Sequence, residues 1–227
     1  MEIYFINSKR FLKHIDINSL NYFQENRIFG STKRAIEFSL GRFILKYILQ
    51  NKYNINSPTI TINNKKPCLK DKTNIHFSIT HSNGLIMCVF DENEIGIDIE
   101  QKKERNFEKL FNFYKITPNK KDKNTFYQLW TEYEAKIKLQ KQPKSTKSFN
   151  FGDNYSLSIC SCVEIDIKNK LKIYELKIPT HNIKPNELIN LKLVIESNKN
   201  ENTVVIQDIN TAEYELEFLP PLNLKIE

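Results

Sequence analysis

"IHFSITHSNGLIMCVFDENEIGIDIE", residues 75–100, carries three strand-like runs in close succession. "IHFSIT" and "LIMCVFD" are separated by "SNG" at 82–84, a turn signal between two extended segments. The third run, "EIGIDIE", alternates strictly. Ile95, Ile97 and Ile99 take one face, and Gly96, Asp98 and Glu100 take the other. Upstream, "EIYFIN" reads as a first strand and "STKRAIEFSLGRFILKYILQ" as a long helix capped by Ser31 or Thr32. Ile36, Leu40, Phe43, Ile44, Tyr47 and Ile48 form its predicted buried face. "PTITIN" follows as a strand. Downstream come two helices, over 104–114 and 122–140, and then "YSLSICS", "LKIYELKI", "INLKLVIES", "TVVIQDI" and "AEYELEF" as strands. The stretches 141–150 and "NIKPNE" at 182–187 read as loops. No repeat is visible, and this element order predicts an α+β protein of two similar halves.

The chain of 227 residues has room for one large domain or two small ones, with 40% hydrophobic and 27% charged residues, as in soluble globular proteins. Five glycines leave no Gly-rich phosphate loop, which excludes the Walker and dinucleotide fingerprints. The net charge of +7 suits an anionic partner: nucleic acid, a phosphorylated small molecule or an acidic protein. A solvated surface rich in Asn and Lys gives the same balance. "MEIYFINSKR" lacks a signal-peptide pattern and no apolar run is long enough to span a bilayer, so a cytoplasmic protein is expected. Cys68, Cys88, Cys160 and Cys162 show no C-x-x-C spacing and read as buried reduced thiols.

Two carboxylates on one strand face, Asp98 and Glu100, repel unless water or a cation separates them. Hard oxygens at that spacing suit Mg²⁺, and the same pattern describes two acids on an exposed strand. Gly96 beside them leaves room for a close approach. His81, between Thr80 and Ser82 at a strand-to-turn junction, can offer an imidazole N–H to a phosphate or simply cap the turn. Arg34 and Arg42 are eight apart on the long helix, about two turns, and so share a face suited to phosphate or to solvent. In "LWTEYEAKIKLQ", 129–140, the residues Leu129, Trp130, Tyr133 and Ile137, extended back by Phe126, make an apolar stripe. Glu134 sits at its edge with Lys138 one turn on, either as an ion pair on a solvated face or as part of a site.

Together these pieces resemble the 4′-phosphopantetheinyl transferases. "IGIDIE" followed by "LWTEYEAKIK" is similar to the family's G-[IV]-D-x-E and W-[ST]-x-K-E-[AS]-x-x-K. "KKPCLKD…IHFSITHSNG" resembles the stretch before that signature in the surfactin-synthetase-activating type, and "KRAIEFSLGRFILK" resembles the R-x-x-E-[FH]-x-x-G-R helix of enterobactin-type members. The match covers roughly residues 30 to 140, with looser agreement to about 178. It implies two α/β halves about a pseudo-twofold, 1–97 and 98–180, with 181–227 as a β-rich extension of unknown role.

The resemblance further implies Mg²⁺ and coenzyme A, with transfer of the phosphopantetheine arm to a serine of an apo acyl- or peptidyl-carrier protein and release of adenosine 3′,5′-bisphosphate. Asp98, Glu100 and Glu134 would hold the metal, and Glu134 or a water it orients would deprotonate the serine. Lys138 and His81 would meet phosphate, and Arg34, Arg42, Lys66 and Thr80 would join the coenzyme A contacts. A monomer with no membrane or nucleic-acid partner is expected. Two departures stand out: Tyr133 replaces the family's Lys, and "KITPNKK" follows "LFNFY" where many members carry an acid. Tyr133, on the predicted stripe, is expected to pack against the sheet. Competing readings are a degenerate module that binds coenzyme A or a carrier protein, and a Mg²⁺-dependent nuclease in which Asp98 and "EAK" at 134–136 mimic a D…E-x-K set.

Overall fold

In β1 (Glu2–Asn7) both sets of alternating side chains are buried, so this strand lies at the centre of its sheet. The short α1 (Ser8–Phe11) and a 3-10 turn at Ile17–Phe23 lead to α2 (Thr32–Asn51), whose N-cap Ser31 accepts a hydrogen bond from the Arg34 amide. β2 (Ile60–Asn63) and β3 (Lys66–Leu69) form a hairpin turning at Asn64 and Lys65, both at positive φ. β4 (His76–Ser82), β5 (Leu85–Asp91) and β6 (Ile95–Gln101) follow. Asn83 and Gly84, at φ 49° and 83°, make the two-residue turn between β4 and β5 that "SNG" signals. Then come α3 (Phe107–Phe113), β7 (Thr117–Pro118), α4 (Lys123–Leu139), β8 (Ser145–Phe151), β9 (Tyr155–Ser161) and β10 (Lys172–Lys177). This computed structural model describes residues 1–71, 74–167 and 171–178, with the backbone of β11 (Lys192–Ile195), β12 (Thr203–Asp208), β13 (Leu216–Leu219) and β14 (Leu224–Lys225).

The fold is α+β, as expected, with two main sheets. The first runs β11-β12-β10-β1-β5-β4 and the second β13-β8-β9-β6. They pack face to face: Ile3, Phe5, Met87 and Val89 of the first meet Ile95, Ile97, Ile99, Phe149 and Leu157 of the second. On the outer face of the first sheet, Tyr4, Ile6, Cys88 and Phe90 pack against Leu40, Phe43, Ile44, Tyr47 and Ile48 of α2. α4 lies on the outer face of the second sheet. β6 crosses the 97/98 division, and β10 belongs to the first sheet beside β1. Four of the five strands expected beyond residue 150 coincide with or contain observed ones, and "AEYELEF" overlaps β13. "NIKPNE" lies outside the described residues. Among the described residues no helix is long and apolar enough to cross a membrane. All four cysteines are free thiols, Cys88 and Cys160 buried and Cys68 and Cys162 partly so.

Two sequence expectations fail for the same reason. Residues 145–150, read as part of the loop 141–150, belong to β8, which pairs with β9 and buries Phe149 and Phe151. Its outer positions carry Ser148 and Asn150, so the alternation is carried by only two phenylalanines. The outer face of this sheet is hydroxyl-lined rather than apolar: Thr131 Oγ1 of α4 lies 2.7 Å from Ser158 Oγ and 3.3 Å from Ser156 Oγ. α4 therefore turns Thr131, Ala135 and Leu139 to the sheet, while Tyr133 and Ile137 are 58% and 50% exposed. The stripe is buried only at its start, where Phe126 and Leu129 meet Phe111 of α3. Tyr133 does not pack against the sheet.

β4 and β6 are edge strands of different sheets and share no backbone ladder. Hydroxyls join them instead. The amides of Ile97, Ile99 and Gln101 donate to Ser78 Oγ, Thr80 Oγ1 and Ser82 Oγ, at 3.3, 3.2 and 2.9 Å. Beyond them, Lys66 Nζ donates to the Ile95 carbonyl at 3.0 Å, so three amides and one carbonyl on the free edge of β6 have side-chain partners. Ser78→Ala should strand the buried Ile97 amide and cost about 1–3 kcal/mol in urea unfolding. Gly96→Ala should also destabilise, because an added Cβ would stand 2.1 Å from the Ala135 carbonyl oxygen and 2.7 Å from the Leu139 nitrogen. Both are helix backbone and can yield only if α4 lifts, so we expect a loss at or above the top of the roughly 1–3 kcal/mol overpacking range. Unchanged unfolding midpoints in both variants would contradict this account of the seam.

Candidate functional site

The hydroxyls that receive β6 amides each have one proton to give. Thr80 gives its proton to Asp98 Oδ1 at 2.9 Å, and Ser82 gives its own to Glu100 Oε2 at 2.9 Å. The strand seam thus orients both carboxylates on the face that α4 covers. Asp98 is almost fully buried, and among the described residues its Oδ2 has no hydrogen-bond partner. Lys138, in the last turn of α4, sets Nζ 2.6 Å from Asp98 Oδ1. Burial raises the pKa of Glu100; the Ser82 hydrogen bond opposes that, Asp98 and Glu134 add to it, and Lys138 opposes it. Glu134 is partly buried one turn before Lys138 and makes no hydrogen bond or ion pair among the described residues.

α4 is held in place at both ends. Asp122 caps its N-terminus through the Thr125 amide. At the other end Gln140, left-handed at φ 61°, donates to the Asn63 and Asn64 carbonyls at 3.3 and 2.6 Å. That contact ties α4 to the β2–β3 hairpin, and with it to Lys66.

His81, at the end of β4, brings α2 into the site. Its Nδ1 lies 3.2 Å from Glu37 Oε2. Burial of part of the ring lowers its pKa, Glu37 pulls it up, Lys138 lowers it, Asp98 raises it and Lys33 lowers it. The imidazole therefore senses charges on α2, α4 and β6 together.

The structure sets Asp98 and Glu100 of β6 near Glu134 and Lys138 of α4 and Thr80 and His81 of β4, with Lys66 of β3 at the Ile95 end of β6. Burial lowers the pKa of Lys66. Arg34 stands exposed in the first turn of α2. Arg42 lies apart. It is 4% exposed, its Nε sits 3.1 Å from Glu25 Oε1, and its guanidinium covers the Phe38 ring at 4.9 Å. Eight residues of helix put the two arginines on neighbouring faces, but the turn at Ile17–Phe23 and the chain after it bury the second. Arg42 has a structural partner in Glu25.

Clefts lie at both ends of the carboxylate strand. One of about 490 Å³ is lined by Lys66, His76, Glu94, Gln140 and Lys141. The other, about 280 Å³, is lined by Lys33, Glu100, Lys103, Arg105, Tyr114 and Trp130. Sequence reasoning left Glu37, Ser78 and Ser82 without roles. The regular S-x-T-x-S of "SITHS" was the available signal for the last two; Glu37 had only its place in the "KRAIEF" helix.

Among the described residues no three His, Cys, Asp or Glu side chains converge as a metal cage. Mg²⁺ binds through one or two carboxylates and completes its shell with water and phosphate, and the orphaned Asp98 Oδ2 beside Glu100 is a donor pair of that kind. The nuclease reading needs Glu134 and Lys136 on a strand. Both are on α4, Lys136 is exposed, and the lysine that meets Asp98 is Lys138.

No family model matches the chain. The 4′-phosphopantetheinyl transferase ffp of Bacillus subtilis is 30% identical to it, over 62% of this chain and 70% of that protein. The chain belongs to the 4′-phosphopantetheinyl transferase family. The transferase Sfp of Bacillus subtilis strain 168 is 33% identical over 44% of this chain, and psf-1 of Bacillus pumilus is 27% identical over a similar share. The chain spans about half the length of each of these two relatives, 50% and 48%.

If Asp98 Oδ2 is a metal donor, Mg²⁺ should stabilise the folded protein. At a hundredfold excess over its dissociation constant the gain is about 2.7 kcal/mol, and Asp98→Asn should abolish it in thermal unfolding. Equal Mg²⁺ shifts in both proteins would remove Asp98 from the metal site. Arg42→Ala should lower stability and leave coenzyme A affinity within about twofold, a change of roughly 0.4 kcal/mol.

Proposed function

We propose that this chain is a holo-carrier-protein synthase that moves the 4′-phosphopantetheine arm of coenzyme A to a serine of an apo acyl- or peptidyl-carrier protein. The observation that supports this most is the pair Asp98 and Glu100 on one face of β6, with Lys138 Nζ of α4 2.6 Å from Asp98 Oδ1 and the charges of Glu134 and His81 acting on the pair, between two clefts. An extended diphosphate ester suits such a line, with cations for its phosphates and a carboxylate for the incoming hydroxyl.

In the reaction the serine oxygen bonds to the phosphorus that carries the pantetheine arm, and the bridging P–O bond of the pyrophosphate breaks. Adenosine 3′,5′-bisphosphate leaves with the bond electrons. Mg²⁺, held by Asp98 and Glu100 with Glu134 nearby, would neutralise the pyrophosphate charge when bound. Glu134, which has no competing partner, takes the serine proton. Lys138 and His81 face the phosphate oxygens and stabilise charge as it shifts to the leaving group. Lys66 and Arg34 add positive charge at the strand's far end and at the start of α2. For the carrier, the exposed Phe113, Tyr114, Tyr133 and Ile137 offer apolar surface beside Lys103, Arg105 and Lys109, which suits an acidic protein with an apolar face.

Incubation with coenzyme A, Mg²⁺ and an apo carrier protein should add one phosphopantetheine mass to the carrier, read by mass spectrometry. Glu134→Gln should lower kcat by roughly 10²–10⁴. Tyr133→Lys should stay within about tenfold, a barrier change of ~1.4 kcal/mol, because the exposed Tyr133 ring takes no part in the charge cluster. Coenzyme A binding without transfer in the wild type, with transfer restored by Tyr133→Lys, would establish the degenerate binding module instead.

A further inference from the structure

Glu37, the one carboxylate on α2, has its side chain 7% exposed, and a buried carboxylate is costly unless it is paired. Its Oε1 accepts the Gly84 amide at 3.1 Å and lies 4.0 Å from Lys33 Nζ; its Oε2 lies 3.2 Å from His81 Nδ1. Lys33 is 62% exposed and distant, so the imidazole is the near basic partner. Glu37 also spans three elements: α2, the end of β4 and the β4–β5 turn. That turn is held from its other side, where the Ser8 amide donates to the Gly84 carbonyl at 2.8 Å. The hydroxyl of Ser82, next to His81, is committed to Glu100. His81 therefore hangs on a backbone fixed from two sides, with one ring nitrogen facing a carboxylate and Nε2 left for a ligand.

We propose that Glu37 is the positioning residue for His81: it fixes the ring through Nδ1 and favours the imidazolium, so that Nε2–H is offered to a phosphate of coenzyme A. This rests on the reading that His81 meets such a phosphate. The charged groups that face the ring are Glu37 and Lys33 of α2, Lys138 of α4 and Asp98 of β6. Burial, Lys138 and Lys33 oppose the imidazolium, and Glu37 is the strongest of the charges in its favour. Without its charge, the pH range over which His81 is cationic moves down. Weakening is then expected at high pH and recedes as pH falls.

Glu37→Gln keeps the shape and an acceptor for Gly84, and removes the charge. Titration calorimetry of coenzyme A with Mg²⁺ should show a Kd about tenfold above wild type at pH 8, shrinking towards twofold at pH 5.5. Comparing variant with wild type at each pH cancels the ligand's own titration. In a His81→Ala background the same change should alter Kd by less than about twofold, since the two residues act as one unit. Three results overturn the proposal, and they are distinguishable. If His81→Ala leaves Kd unchanged, the phosphate reading of His81 fails and Glu37 falls with it. If His81→Ala weakens binding but Glu37→Gln does not, the reading stands and the positioning role fails. A Glu37→Gln loss that is constant with pH, or persists without His81, marks a purely structural carboxylate.

Discussion

β4 and β6 meet through three side-chain hydroxyls where two strands would ordinarily share a backbone ladder. A direct ladder would set the strands about 4.8 Å apart and use up every edge amide. A serine or threonine oxygen interposed between them satisfies the same amides with the strands further apart, and leaves one proton per hydroxyl unspent. Two of those protons go to Asp98 and Glu100. The bond that joins the sheets and the bond that aims a carboxylate therefore share an oxygen atom. Ser78, which has no carboxylate to serve, performs the joining role alone.

This economy constrains charge. Asp98, Glu100 and Glu134 repel across a partly buried space, and the chain answers with Lys138 on Asp98, hydroxyl donors on two of the three and His81 between Asp98 and Glu37. Among the described residues one oxygen of this cluster, the buried Asp98 Oδ2, remains without a donor. A fold selected for stability alone would have little use for that orphan. A cluster that must accept a cation and a polyanion together has good use for it, because a site with every lone pair already satisfied would offer a ligand nothing.

Much of the fold was legible because periodicity and turn chemistry agreed. "LIMCVFD" and "YSLSICS" are strands to the residue, Ser31 caps α2, and Asn83–Gly84 turns the hairpin. β8 and the buried face of α4 were not legible, since both depend on a hydroxyl-lined sheet face. A rule that seeks apolar residues under a helix passes over Thr131, Ser156 and Ser158. The candidate site was half legible. Strict alternation puts Asp98 and Glu100 on one face, and helical spacing sets Glu134 one turn before Lys138. What joins the strand to the helix is Gly96, whose missing side chain lets α4 approach. Arg42 shows the limit of spacing arguments: the helix gives its direction, while the segment around Glu25 decides that the direction is inward.

The places where this chain leaves its family's pattern have a shared geometry. Tyr133 stands on the outer surface of α4, away from the carboxylates, so the substitution leaves the charge cluster unaltered. "KITPNKK" contains β7, and β7 pairs with β14 of the C-terminal extension, Pro118 with Leu224 and Thr117 with Lys225. β14 follows the residues that resemble the family motifs, and its backbone meets the chain at β7, inside the segment read as a departure from them. The same extension supplies β12 beside β10 in the first sheet and β13 beside β8 in the second. A segment that pairs with a strand adopts an extended backbone, which Thr117 and Pro118 accommodate at a sheet edge. The segment around β7 and the C-terminal strand β14 are thus joined by backbone pairing, outside the seam that holds Asp98, Glu100 and His81.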